Sequence, residues 1–215
     1  MPLPPSVPRD ANGDVAFHLT GQALWDRMNR AVEKIQQRLE RTVATLTAAG
    51  IPFAIIGGNA VRAWVAQADE AAVRTTRDVD ILINRGDLPA AIEAMEAAGF
   101  THRRVKGIDM FLDNPDWLDG RRPKARDAVH VLFADEPVRP DDLVASPKVT
   151  EVTDIDGQPA VNLDALVKMK LNAFRRKDQM HLIDMIDVGL IDESWVDRLP
   201  PAFSDRLREL FDNPE

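Results

Sequence analysis

The chain has no cysteine, which excludes disulfides, thiol catalysis and cysteine-held zinc, and gives no sign of an oxidising compartment. It also lacks any apolar run near the roughly 18 residues that a membrane span needs, so no membrane partner is expected. The opening MPLPPSVPRD is proline-rich and without the basic-then-apolar order of a secretion signal, which makes a cytoplasmic protein the simplest expectation. Excess positive charge is missing too. The formal balance of −8 argues against a general nucleic-acid coat, because phosphate contacts dominate such binding, although it leaves room for a local basic groove. No repeat, low-complexity stretch or interdomain linker interrupts the sequence. What is present is an ordinary globular composition, 45% hydrophobic over 215 residues, which excludes wholesale disorder. That length suits one large domain, or a small catalytic core with helical additions. Residues 1–14 read as a flexible arm with no periodic apolar pattern, and residues 15–215 as a single domain.

The rest of the chain is organised around Phe53 to Asn84, FAIIGGNAVRAWVAQADEAAVRTTRDVDILIN. A short apolar run, Phe53 to Ile56, has the character of a buried strand. Gly57 and Gly58 follow, then Asn59 to Ala66 with helical character. A glycine pair lets backbone N–H groups approach a phosphate without side-chain obstruction, and the following helix N-terminus favours the anion. It is also a common tight turn. A second strand, Val79 to Ile83, arrives with Asp78 and Asp80. At i and i+2 of a strand both carboxylates project to one face. Two such charges repel unless a cation lies between them, and a hard divalent ion with oxygen ligands fits best. A phosphate cradle beside a metal-binding acid pair is what phosphoryl or nucleotidyl transfer requires.

The motif GG-N-A followed by T-T-R-D-V-D-I resembles the nucleotidyltransferases of the DNA polymerase β superfamily, in particular the minimal bacterial branch containing the AbiEii-type abortive-infection toxins. The resemblance is strong over Ile51 to Asn84, fair over Leu163 to Ile191 and weak elsewhere. It implies an α/β (α+β) nucleotidyltransferase fold, a mixed twisted sheet flanked by helices with N-terminal and C-terminal helical additions. It also implies Mg²⁺ or Mn²⁺ as cofactor, held by Asp78 and Asp80, with an NTP as substrate. Gly57, Gly58 and Asn59 would hold β- and γ-phosphate oxygens. Thr76 and Arg77, beside Thr75, would contact phosphate, although Thr76 could equally only shape the turn. The strand AVHVLF, Ala128 to Phe133, falls where the family supplies a third carboxylate, and the matching residue is His130. An imidazole cannot supply that negative charge, but it can ligate a metal or accept a proton near neutral pH. Asp127 and Asp135 flank the strand without the family's spacing. Lys170 matches a phosphate-steadying lysine, while Arg175, Arg176, Asp178, His181 and Asp184 match a charged pattern less specifically. The acceptor hydroxyl stays open among an RNA end, a protein and a small molecule. Two alternatives stand beside this one: a catalytically degenerate nucleotide-binding protein, and an interaction module paired with a cognate antitoxin or other protein partner.

Around these motifs, Gly21 to Ala49 carries apolar residues at threes and fours, Leu24, Met28, Val32, Ile35, Leu39, Val43 and Leu46. That pattern predicts one long amphipathic helix or two broken near Arg38. It would pack on its own domain or serve as a docking surface. Gly50 and Pro52 end it. Leu88 to Ala98 reads as a helix, and Phe100 to Val105 and Met110 to Leu112 as strands. Arg103, Arg104, Lys106, Arg121, Arg122, Lys124 and Arg126 form a positive region that is either a solvated face or a funnel for polyphosphate. Val149 to Ile155 and Gln158 to Val161 form a hairpin across Asp156-Gly157, a type I′ signal. A helical segment starting at Asn162 or Asp164 and ended by Gly189 follows, with Leu166, Met169, Ala173, Met180 and Ile183 facing the core and, if the helix is continuous, Lys170, Lys177, His181 and Asp184 near one stripe. Short C-terminal helices lie around Trp195, Leu199 and Leu207.

Overall fold

The computed structural model describes residues 21–114 and 128–213. The expected N-terminal arm, and Arg121, Arg122, Lys124, Arg126 and Asp127, lie outside the described residues. A seven-stranded mixed sheet runs in the order β3-β4-β5-β2-β1-β7-β6. Its strands are β1 (Phe53–Ile56), β2 (Val79–Ile83), β3 (Phe100–Val105), β4 (Ile108–Asp113), β5 (Val129–Phe133), β6 (Val152–Ile155) and β7 (Gln158–Val161). The helices are α1 (Gln22–Ala48), α2 (Gly57–Ala68), α3 (Leu88–Ala97), α4 (Leu163–Ala173), α5 (Arg176–Asp187) and α6 (Pro201–Asp212). At the centre, β2 pairs antiparallel with β1 and parallel with β5.

Side-chain alternation divides the central strands into two cores. Phe53, Ile55, Val79, Ile81, Ile83, Val129 and Val131 pack with Leu39 and Leu46 of α1 and Ala91 and Met95 of α3. Ala54, Ile56 and Leu82 face the other way, onto Val61 and Val65 of α2, Leu166 and Leu171 of α4, Leu182 and Met185 of α5, and Leu207 of α6. Burial on both faces explains why β1 and β2 read as unbroken apolar runs. The charged side chain within β2, Asp80, lies on the second face.

Helix α1 is one unbroken helix, and its apolar stripe meets two environments. Leu39 and Leu46 are buried, whereas Leu24, Trp25, Met28 and Val32 are exposed. The helix is clamped to the sheet edge where Arg38 and Arg41 both donate to Asp113 at the end of β4, with Arg41 stacked over Phe100. The hairpin turn is as expected, with Asp156 and Gly157 both at positive φ, 52° and 76°.

The helical segment after Asn162 is not continuous. Phe174 takes the left-handed conformation at φ 42° and splits the segment into α4 and α5, which pack together. Arg206 of α6 donates to the carbonyls of Leu171 and Asn172, satisfying orphan groups at the end of α4. Asp178 accepts from the Arg175 backbone N–H to start α5. Lys170 therefore sits on a different helix from Lys177, His181 and Asp184, and their apparent common stripe is a meeting of two helices. Met180, expected in the core, is 40% exposed.

Candidate active site

Three strands meet at one level of the sheet. Ile56 ends β1 opposite Asp80 of β2, and Asp80 lies opposite His130 of β5. Cross-strand partners share a face, so the carboxylate and the imidazole come together, with His130 Nδ1 3.3 Å from Asp80 Oδ1. Gly57 follows Ile56 at φ +68°, and a Cβ added there would lie 2.1 Å from Asp80 Oδ2. A Cβ on Gly58 would lie 2.6 Å from Thr76 Oγ1. The glycine pair is thus required because β2 and the segment before it press against the first turn of α2. At Gly57 the left-handed φ is a second reason for glycine.

These groups open onto a cavity of about 560 Å³ lined by Gly57, Gly58, Asp78, Asp80, His130 and Lys170. The start of α2 has no side-chain cap, which leaves its first N–H groups available beside the acids. The opposite wall is formed by α4 and the connection of residues 134–151, including Val138, Arg139 and Val144. Asn172 of α4 pins that connection twice, accepting from the Leu143 N–H and donating to the Val144 carbonyl. Asp142 holds the turn before it through the backbone N–H groups of Val138 and Arg139.

The remaining expected site residues sit elsewhere. Asn59 is buried and does not line the cavity; its Nδ2 donates to the Asp78 carbonyl at 2.7 Å. Asn59 therefore fixes the backbone that presents Asp78. Thr76 is buried beneath Gly58, and Arg77 is exposed away from the cavity.

Lys170 lines the cavity but is 6% exposed. Its Nζ lies 3.2 Å from Asp178 Oδ1. Burial pulls the Lys170 ammonium below its usual range, against the opposing charge and hydrogen bond of Asp178 and a smaller pull from Asp80. Burial pushes Asp178 upward, but the Arg175 hydrogen bond and the Lys170 charge together hold it below the ordinary carboxylate range. Lys177 of α5 is exposed, and its Nζ is 3.6 Å from Asp78 Oδ2. His181, one turn further along α5, is held down to about 4 by burial first, then by the charges of Lys170 and Lys177. Its Nδ1 is buried with no hydrogen-bond partner.

The sequence did not single out Asn172 or Arg139, and it placed Lys177 only in a stripe with Lys170, His181 and Asp184. The break at Phe174, which turns α5 back to Asp78, carries neither glycine nor proline, so no local signal announced it. Among the described residues, no group of three or more His, Asp or Glu side chains is arranged to hold a metal ion. Nor is any helix there long and apolar enough to cross a membrane.

With this geometry in view, no family model matches the chain, and no curated protein matches it in sequence. Its likeness is to solved structures. JHP933 from Helicobacter pylori aligns at a TM-score of 0.51 and 13% identity, over 85% of this chain and 75% of that one. A candidate nucleotidyltransferase from Helicobacter pylori aligns at 0.48 and 15%, over 91% and 79%. The antibiotic-resistance factor ANT(2'')-Ia aligns at 0.38 and 14%, over 84% and 82%. At such identities the likeness bears on the fold alone, and of these three only JHP933 reaches a TM-score of 0.5. The chain shares with JHP933 a fold built on a mixed α/β sheet flanked by helices.

Proposed function

We propose that the protein is a metal-dependent nucleotidyltransferase that moves an NMP from an NTP to an acceptor hydroxyl and releases pyrophosphate. The observation that carries this reading is the shared level of Ile56, Asp80 and His130 beneath Gly57. It sets an acid, a base and bare backbone around one cavity.

The donor set suits a hard divalent ion. Asp78 and Asp80 supply carboxylate oxygens, and Mg²⁺ commonly takes one or two protein carboxylates, completing its shell with water and substrate phosphate. An acid pair without a third ligand therefore fits Mg²⁺, or Mn²⁺. Once bound, such an ion would offset charge on the triphosphate and at the transferring phosphorus.

The chain's own groups supply the rest. Gly57 and Gly58 offer N–H groups to β- and γ-phosphate oxygens at the uncapped start of α2, where the helix dipole favours an anion. Asn59 and Thr76 support them from below. His130, whose Nδ1 lies 3.3 Å from Asp80 Oδ1, is the imidazole placed to accept the acceptor's proton. The acceptor oxygen bonds to the α-phosphorus as the bond to the bridging oxygen breaks and pyrophosphate departs. Lys170 contributes positive charge from the cavity floor and, through Asp178, fixes Arg175 at the rim. Hydroxyls on an RNA end, a protein or a small molecule all suit this chemistry.

The test is incubation with α-labelled NTPs and Mg²⁺ or Mn²⁺, offering cell RNA, protein and small-molecule hydroxyls as acceptors. Metal-dependent label transfer that disappears in Asp78→Asn/Asp80→Asn is the expected result. Transfer unchanged in that double variant would sink the reading.

A second reading keeps the fold and gives up turnover. His130 stands in place of the third acid of the AbiEii-like pattern, and Trp25, Met28 and Val32 present an exposed apolar edge on α1. That edge suits a protein partner such as a cognate antitoxin. Nucleotide binding without transfer, together with stable capture of a partner through α1, would favour it.

A further inference from the structure

We infer that Lys177 is a placeholder for the metal ion at Asp78, weakening the binding of a divalent cation that arrives alone and moving aside for one that arrives with a nucleotide. The inference rests on the nucleotidyl-transfer reading and adds a gate to it. The structural basis is a contrast among three lysines around one cavity. Lys170 is locked, its ion pair with Asp178 being 8% and 2% exposed on the two sides. Lys168 is turned away, its Nζ 2.6 Å from Asp164 one turn earlier on α4. Lys177 alone of the three contacts an acid assigned to the metal, and that pair is loose, at 3.6 Å and 53% and 32% exposed.

Looseness is what exchange requires. A half-exposed ion pair contributes little net free energy, so a stronger competitor displaces it. The lysine head is a compact charge on a flexible stem and can turn without moving α5. While it stays, it satisfies half the acid pair and repels any second cation. A metal ion that arrives alone must displace Lys177 into water. One that arrives on a triphosphate brings oxygen anions that give the ammonium a new partner beside the uncapped N-terminus of α2. Metal and nucleotide should then bind with positive coupling, and by linkage each must strengthen the other equally. The position of Lys177 explains how this arises. It lies in the first turn of α5, just after the left-handed break at Phe174 and inside the Arg175–Asp178 cap, which together bring that turn to the start of β2.

The test is Mn²⁺ binding to the full chain, read by electron paramagnetic resonance, with and without a non-hydrolysable NTP analogue. Lys177→Gln should bind Mn²⁺ alone roughly three- to tenfold more tightly than wild type. It should also lose most of the coupling between Mn²⁺ and nucleotide. Lys177→Arg should keep both wild-type properties. Lys168→Gln removes the same charge from the same rim and should stay within about twofold, which separates a local exchange from a general change in potential. Coupled Mn²⁺ and nucleotide binding with unchanged or weaker Mn²⁺ affinity in Lys177→Gln would overturn the placeholder and leave the nucleotidyl-transfer reading intact. No Mn²⁺ binding by wild type, even with nucleotide, would overturn both.

Discussion

On strand β2, Val79, Ile81 and Ile83 point to one side of the sheet and are completely buried, while the Asp80 side chain on the other side is 22% exposed. The same five residues serve a dry core against α1 and α3 and a polar cavity against α2, α4 and α5. The first face is sealed by volume: Phe53, Ile55 and Phe111 meet Leu39, Leu46 and Met95. The second is sealed only at its far end, around Leu166, Leu182 and Leu207, and opens where Gly57 and Gly58 replace side chains with backbone. The difference teaches that a strand's period of two lets one sequence specify a scaffold and a site independently. It also implies that damage to each face has a different signature.

The largest expected effect is on the open face. Asp78→Asn/Asp80→Asn should lower transfer by at least roughly 10³-fold, since metal stabilisation contributes several kcal/mol. Stability should change by less than about 1 kcal/mol, because both acids make only exposed or partial pairs. Thermal melting beside label transfer checks both halves, and a large drop in melting temperature would break the comparison.

Next comes the ion cluster between α4 and α5 on that same face. Asp178→Ala strands the buried Lys170 ammonium and should destabilise by about 3–5 kcal/mol, as removal of one member of a buried pair generally does. Urea unfolding measures it.

His181 gives an intermediate effect with a defined pH window. Its folded value of about 4 lies below the ordinary 6.5, so between these limits the unfolded chain binds more protons. Its contribution is full above pH 6.5 and is lost as pH falls towards 4. It should reach about 2 kcal/mol, after discounting for partial solvent contact. His181→Gln should flatten that part of the curve of stability against pH.

The smallest effect is on the dry face. Ile81→Val should cost about 0.5–1.5 kcal/mol by leaving a methyl-sized void, and nucleotide affinity should remain at the wild-type level. A loss of affinity there would mean that the two faces are mechanically coupled.

Local patterns in the sequence revealed much of this arrangement. Phe53–Ile56 and Val79–Ile83 were legible as strands because burial on both faces leaves a continuous apolar run, and Asp156-Gly157 was legible because a type I′ turn needs two positive φ values. The acid pair and the glycine pair were legible as a conjunction. What stayed hidden depended on long-range packing. The left-handed bend at Phe174 is stabilised by Arg206 from α6, which no window around residue 174 contains. Lys170 looked like the available cation because its burial against Asp178 is a tertiary fact, and Lys177 gains its role only through that bend. Asn59 and Thr76 were grouped with the phosphate cradle by adjacency. Their side chains turn inward instead, one to the Asp78 carbonyl and the other beneath Gly58. The α1 stripe has one period throughout, so the sequence could not reveal where the sheet beneath it ends.

The most direct test of the central claim is where a metal–nucleotide complex binds. Crystals grown with Mn²⁺ and a non-hydrolysable NTP analogue would locate the ion by anomalous scattering. The account predicts a peak shared by the carboxylates of Asp78 and Asp80, with phosphates against the backbone of Gly57 and Gly58 and Lys177 displaced from Asp78. A nucleotide bound elsewhere, or at this cavity with no ion on the acid pair, would contradict it.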